Sequence, residues 1–142
     1  MTEQDALFVS NLIFRITDRI EKSNKKAMQK ELENLTMAEG KTLYIIGASE
    51  PKNMKQIADD LGVAVSTPTT TIDRLVEKGL VRRYPGITDR RLVLVELTDH
   101  GKNLLQNMSK NALESTKKFL EHLSKEEIET LKGILTKIEE RL

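Results

Sequence analysis

Residues 65–83 read VSTPTTTIDRLVEKGLVRR, and the fold turns on how this stretch is understood. Five hydroxyl side chains fall within residues 65–71, Pro68 interrupts them, and an amphipathic pattern follows that ends in Arg82-Arg83. With Ile72, Leu75 and Val76 turned inward, Ser66, Thr67, Thr70 and Arg74 lie on the outward face of a helix, with Thr69 at its margin. Proline costs about 3 kcal/mol in a helix interior but is tolerated in the first turn, where its missing N–H has no partner. It also disfavours helical geometry at Thr67. The stretch therefore predicts a helix over about 66–78 that starts late, with Ser66 or Thr67 as its cap.

A short helix precedes it. Asn53 can cap that helix with Gln56 three residues on, and Met54, Ile57, Ala58 and Leu61 form its inner face. Gly62 then stands where a left-handed residue ends a helix, and Gly79 does the same after the opening stretch. Two short helices joined by a tight glycine-containing turn outline a helix-turn-helix. Beyond Gly79 the period changes. LVRRYPGITDRRLVLVEL reads as two strands, 80–84 and 91–97, around a turn at Pro85-Gly86. A two-stranded ribbon attached to a helix-turn-helix is a wing.

Helices flank this centre. Val9, Ile13, Ile16 and Ile20 share one stripe, and Thr36-Met-Ala-Glu39 is a capping box that starts the helix carrying Leu43 and Ile46. Towards the C-terminus, Leu105, Met108, Ala112 and Phe119 begin an apolar seam. Ser124-Lys-Glu-Glu127 caps a last helix whose Ile128, Leu131, Leu135, Ile138 and Leu142 repeat at threes and fours. A winged segment of about 60 residues buries only about 60% of its chain surface, so it cannot cover these stripes. A second copy of the chain is expected to cover them, giving a homodimer.

Charge sharpens the reading. The 142 residues hold 23 basic and 22 acidic side chains, so the net charge of +1 points to no particular partner. Its distribution does. Residues 64–91 carry six cations (Arg74, Lys78, Arg82, Arg83, Arg90, Arg91) against three carboxylates (Asp73, Glu77, Asp89), and no other segment is basic. Hydroxyls and Arg74 on the outward helix face can contact phosphates or base edges. Arginines at the wing, Thr88-Asp89-Arg90-Arg91, suit a minor groove, with Asp89 holding an arginine in one rotamer. The same residues also fit an ordinary solvated hairpin with a surface ion pair.

Other functions find little support. The chain has no cysteine, which excludes disulfides and thiolate metal sites within it. Its two histidines, His100 and His122, form no metal spacing, and no phosphate loop or nucleophile elbow is present. No cofactor and no enzymatic activity are expected. The apolar runs fall far short of the roughly 20 residues that span a bilayer, and the polar start lacks a secretory n-region. A cytoplasmic protein without membrane association is expected.

In combination these residues resemble the MarR (multiple antibiotic resistance regulator) family of winged-helix transcription factors. The likeness is carried by Leu35-Thr36, IADDLGV at 57–63, TTIDRLVEKGLVRR at 70–83, DRRLVLVELT at 89–98 and GKNLL at 101–105. It implies a mostly α fold with a small β-hairpin wing: an N-terminal dimerisation arm over 1–34, a winged helix-turn-helix over 35–98, and C-terminal dimerisation helices over 99–142. It implies a homodimer on double-stranded DNA with a pseudo-palindromic operator, recognition helices in successive major grooves and wings 85–91 in flanking minor grooves. Ser66, Thr67, Thr69, Thr70 and Arg74 would face the major groove or its phosphates. Asp89 would orient the wing, Arg91 would enter the minor groove, and Arg90 stands beside it.

Members of that family commonly repress genes, and many release DNA when a small lipophilic or aromatic ligand binds. Two departures stand out. Ala64 and Pro68 replace a hydroxyl cap and a branched apolar residue, and the cysteine of peroxide-sensing members is absent. The competing reading is a winged-helix protein-interaction module without specific DNA binding.

Overall fold

The computed structural model describes residues 1–27 and 34–142. They divide into two compact units, one of residues 34–110 and one of residues 1–27 with 111–142.

The first unit holds the helix-turn-helix and the wing. It contains α2 (Met37–Ile46), β1 (Lys52–Asn53), α3 (Met54–Leu61), α4 (Thr69–Glu77), β2 (Val81–Pro85), β3 (Val93–Leu97) and the first half of α5 (Asp99–Leu120). Local chemistry starts two of the helices where the sequence indicated. The Glu39 N–H donates to Thr36 Oγ1 (3.2 Å) and the Thr36 N–H to Glu39 Oε2 (2.8 Å). The Asn53–Gln56 box repeats this reciprocity at 2.9 Å in both directions. Gly62 and Gly79 take φ of +68° and +69°, where a Cβ would be strained. The next N–H then reaches back to close the helix end, Val63 to the Ala58 carbonyl and Leu80 to the Leu75 carbonyl.

The core is the sum of these inward faces. Leu43, Ile46, Ile57, Ala58, Ile72 and Leu75 come from α2, α3 and α4; Leu80, Val81, Val95 and Leu97 come from the sheet and the turn before it. Each fully buried aliphatic side chain of this kind contributes about 1.5–3 kcal/mol.

Three features differ from the sequence reading. The sheet has three antiparallel strands, not two, in the order β1-β3-β2. Lys52 pairs with Val95 and Asn53 with Leu94; a two-residue strand has no periodicity to betray it. Strand β3 begins at Val93 rather than 91, because the Leu92 N–H turns back to the Asp89 carbonyl (3.1 Å) and leaves 89–92 as a turn. Finally, Leu105 and Met108, assigned by their spacing to a seam between arms, pack on the winged core together with Leu104. The compact winged unit accordingly runs on to Lys110.

The second unit consists of α1 (Glu3–Ala27), the remainder of α5 and α6 (Lys125–Glu139). The Ser124–Glu127 capping box forms as expected. Helix α1 starts on an analogous reciprocal pair, Thr2 with Asp5, which the sequence reading missed. Within the single chain the apolar stripe of α1 is open, with Val9, Ile13 and Phe14 exposed, and on α6 Leu135 and Ile138 are exposed as well.

Candidate nucleic-acid interface

Helix α4 is held by its buried Ile72 and Leu75, and this sets its opposite face outward. Ser66, Thr67, Thr69, Thr70 and Arg74 are all exposed, as the spacing required. The start of the helix differs from expectation. Neither Ser66 nor Thr67 caps it; Pro68 occupies the N-cap position in a helical conformation, with no side-chain cap. The reason is a tight turn just upstream, in which the Thr67 N–H donates to the Ala64 carbonyl (2.9 Å). The Pro68 carbonyl then accepts from Ile72 (2.9 Å), and the proline ring is buried. The regular helix is therefore Thr69–Glu77, shorter than the expected 66–78, and Ser66 and Thr67 lie in the turn before it. Among the described residues the hydroxyls of Ser66, Thr67, Thr69 and Thr70 have no hydrogen-bond partner. Thr42, by contrast, spends its hydroxyl on the Ala38 carbonyl (2.8 Å).

The wing tip, residues 86–92, is closed from within. The Gly86 N–H donates to the Leu92 carbonyl (2.9 Å), and a Cβ at Gly86 would lie 2.5 Å from the Asp89 carbonyl oxygen, so only glycine permits this crossing. Asp89 Oδ1 accepts both the Arg91 N–H (3.0 Å) and the Arg91 Nε–H (3.2 Å). One carboxylate thus accepts from both the backbone and the guanidinium of the same arginine, whose side chain remains 92% exposed. Arg90 is exposed beside it.

Ion pairs redraw the basic segment. Arg82 pairs with Glu96 directly across the β2–β3 ladder, while its guanidinium sits 5.6 Å from the centre of the Tyr84 ring and Tyr84 donates to the same carboxylate (3.2 Å). Arg83 reaches from β2 to Asp73 on α4, tying wing to helix. Lys78 pairs with Glu39 (2.7 Å). Arg74 and Arg90 form no ion pair among the described residues, so with Arg91 they are the cations presented outward. Of the six cations counted in the basic segment 64–91, Lys78, Arg82 and Arg83 pair within the fold.

Glu39 is the residue the sequence undervalued. Its capping role was legible, but its side chain is only 2% exposed and faces Lys78 from 39 positions away. Burial alone would raise its carboxyl. The hydrogen bonds from Lys78 and the Thr36 N–H, with the charges of Lys78 and Arg74, outweigh burial and hold it below the usual glutamate value.

The motif at 98–101 also acquires a cause. Thr98 Oγ1 donates to the Gly79 carbonyl (2.6 Å) and accepts from the Gly101 N–H (3.1 Å), so it caps α5 while fastening it to the turn that ends α4. Beside that turn, Leu35, Lys78, His100, Asn103, Leu104 and Asn107 line a cleft of about 810 Å³. Among the described residues no group of acidic or histidine side chains is arranged to hold a metal ion, and no helix is long and apolar enough to cross a membrane.

A model of the MarR family matches residues 35–93, which span α2 through the start of β3. The HTH-type transcriptional regulator PecS of Dickeya dadantii (strain 3937) is 34% identical over 134 residues, 94% of this chain and 77% of PecS. The chain belongs to the MarR family. Among solved MarR-type folds, the transcriptional regulator BldR from Sulfolobus solfataricus is 30% identical, with each chain covered completely and a TM-score of 0.71. FabT of Streptococcus pneumoniae, solved in complex with DNA, is 21% identical and shares the fold at a TM-score of 0.82, covering 95% of this chain and 94% of its own. The MarR match takes in α4, the wing tip and every residue the sequence nominated for DNA contact.

Proposed function

We propose that this protein is a cytoplasmic homodimer that binds double-stranded DNA sequence-specifically and regulates transcription as a repressor. The exposed face of α4 enters the major groove, where Ser66, Thr67, Thr69, Thr70 and Arg74 meet base edges and phosphates. The wing lays Arg91, oriented by Asp89, into the adjacent minor groove, with Arg90 on its rim.

One observation carries this reading. Four exposed hydroxyls and Arg74 share the outward side of α4 and the turn before it, and on the wing Asp89 accepts from the backbone and side chain of the exposed Arg91 beside the exposed Arg90, all within the residues the MarR family model matches. An exposed guanidinium at a hairpin tip suits a groove of focused negative potential. The open apolar stripes of α1 and α6 support the homodimer. The cleft beside Lys78 and His100 is roomy enough for a small lipophilic or aromatic effector that would relieve repression.

Selection from a pool of random duplexes tests the proposal. A symmetric dimer should enrich an inverted repeat with half-site centres about one helical turn, ~10 bp, apart. Recovery of unrelated sequences, with no common half-site, would refute sequence-specific recognition.

A further inference from the structure

The last turn of α4 is fastened to the beginning of α2 through a single ammonium group. Lys78, the C-cap residue of α4, donates from Nζ to Glu39 Oε2 (2.7 Å) and to the carbonyl of Asn34. Glu39 in turn accepts from the Thr36 N–H (2.8 Å), so residues 34–39 and the end of α4 share one polar knot. The Glu39 side chain is 2% exposed and cannot touch a ligand of the outer surface.

Other restraints act on α4 beside this one, among them the Thr98 hydroxyl bond to the Gly79 carbonyl (2.6 Å) at the turn that ends the helix. Ile72 and Leu75 contribute apolar contacts, which are strong but non-directional. The N-terminal end has no side-chain cap. The Arg83–Asp73 pair is a third to a half exposed and is weakened by solvent. Among the described residues, the Lys78–Glu39 ion pair is the directional side-chain link between α4 and α2. Recognition groups must be held within about 10–20° of their working geometry.

We propose that Glu39 and Lys78 are positioning residues for DNA recognition, the buried Glu39 side chain anchoring the partly exposed Lys78 so that the exposed face of α4 meets the groove in register. The inference rests on the DNA-binding reading above. Its signature is a reversal of simple electrostatics. Removing a negative charge ordinarily strengthens binding to DNA, yet removal of Glu39 weakens it here, and only for the cognate sequence.

The test uses a duplex selected by the full-length wild-type protein and an unrelated duplex of equal length. The variants are Glu39→Leu, Glu39→Gln and the double change Glu39→Leu/Lys78→Met, each checked for native circular dichroism. Replacing a buried ion pair by apolar groups of similar volume is often neutral or stabilising, so the double variant keeps the test alive if Glu39→Leu alone fails to fold. Glu39→Leu and the double variant should lose about tenfold in affinity for the selected duplex. Glu39→Gln, which retains an acceptor oxygen, should fall between them and wild type. Binding of Glu39→Leu to the unrelated duplex should stay within about twofold of wild type, and its salt dependence on the selected duplex should be unchanged, because no phosphate contact is lost.

Wild-type or tighter affinity for the selected duplex in the double variant would overturn the proposal. So would a salt slope reduced by about one in the double variant, which marks Lys78 as a direct phosphate contact. Arg74→Ala and Arg91→Ala serve as references in the same assay. If neither weakens binding, the DNA-contact reading fails; if both do and the double variant does not, only the positioning role fails.

Discussion

Replacing Gly101 by alanine adds one methyl group at a backbone crossing that has no room for it. The new Cβ would lie 2.0 Å from the Leu80 carbonyl oxygen and 3.0 Å from its carbon. Ordinary non-bonded carbon contacts begin near ~3.5 Å, so the start of α5 must retreat by about 1 Å or more. Leu80 cannot yield instead. Its N–H is bound to the Leu75 carbonyl and its own carbonyl accepts from Thr98, both at 3.0 Å. Retreat stretches the Thr98 bonds to Gly79 and Gly101 and loosens Leu80 and Leu97, each only 3% exposed. Overpacking costs about 1–3 kcal/mol, and each hydrogen bond lost adds about 1 kcal/mol. A loss of about 3 kcal/mol follows. At roughly 2–4 °C per kcal/mol for a chain near this size, Tm should fall by about 10 °C.

Thermal unfolding followed by circular dichroism, at one fixed protein concentration, measures the effect. The same substitution at Gly133 is the internal control. Among the described residues nothing outside its own helix backbone lies within 4 Å of its added Cβ in α6, so Gly133→Ala should stabilise by about 0.5–1 kcal/mol, the ordinary helix preference for alanine. A Gly101→Ala protein melting within about 2 °C of wild type would refute the steric reasoning, since ~3 kcal/mol cannot hide in that interval.

Three further outcomes are expected. Because the folded-state Glu39 carboxyl lies below its ordinary value of 4.5, it stabilises the fold above that pH, and the stabilisation is lost as pH falls through the lower folded value. Lys78→Met should cost about 3 kcal/mol at neutral pH by stranding this carboxylate and should remove or invert that acid dependence in urea titrations; an unchanged pH profile would sink the pairing argument. Asp89→Ala should weaken binding to a selected duplex by about 1 kcal/mol, the cost of immobilising a freed arginine on binding, although it removes a negative charge; tighter binding would show that Asp89 only repels phosphate. Leu135→Asp on α6 should convert a dimer to a monomer in light scattering at micromolar concentration, and an unaltered dimer mass would move the interface elsewhere.

How much of this was legible beforehand depended on the range of the interaction. Capping boxes at Thr36, Asn53 and Ser124, and the glycines at 62 and 79, act over three to five residues, so their spacing alone placed the helices. The inward set Ile57, Ile72 and Leu75 followed from helical periodicity for the same reason. Strand β1 was invisible because two residues have no period, and its pairing with β3 spans more than 40 positions. The charge count in 64–91 was correct but misleading as a surface. Glu39 and Glu96, which neutralise Lys78 and Arg82, lie outside that window and reach it only through the fold. The cap of α4 failed for a subtler reason: a cap at Ser66 or Thr67 places the proline inside the first turn, whereas the turn at Ala64–Thr67 lets it serve as the N-cap itself.

The central claim is that α4 and a wing preset by Asp89 together read DNA. Equilibrium binding of Arg91→Ala to the duplex selected by the wild-type protein tests it most directly. The expected result is a folded, dimeric variant whose affinity drops by about 1–3 kcal/mol if the arginine reads a base edge, and by less if it meets phosphate alone. An Arg91→Ala protein that holds the duplex as tightly as wild type, with the same dependence on salt, would contradict the account.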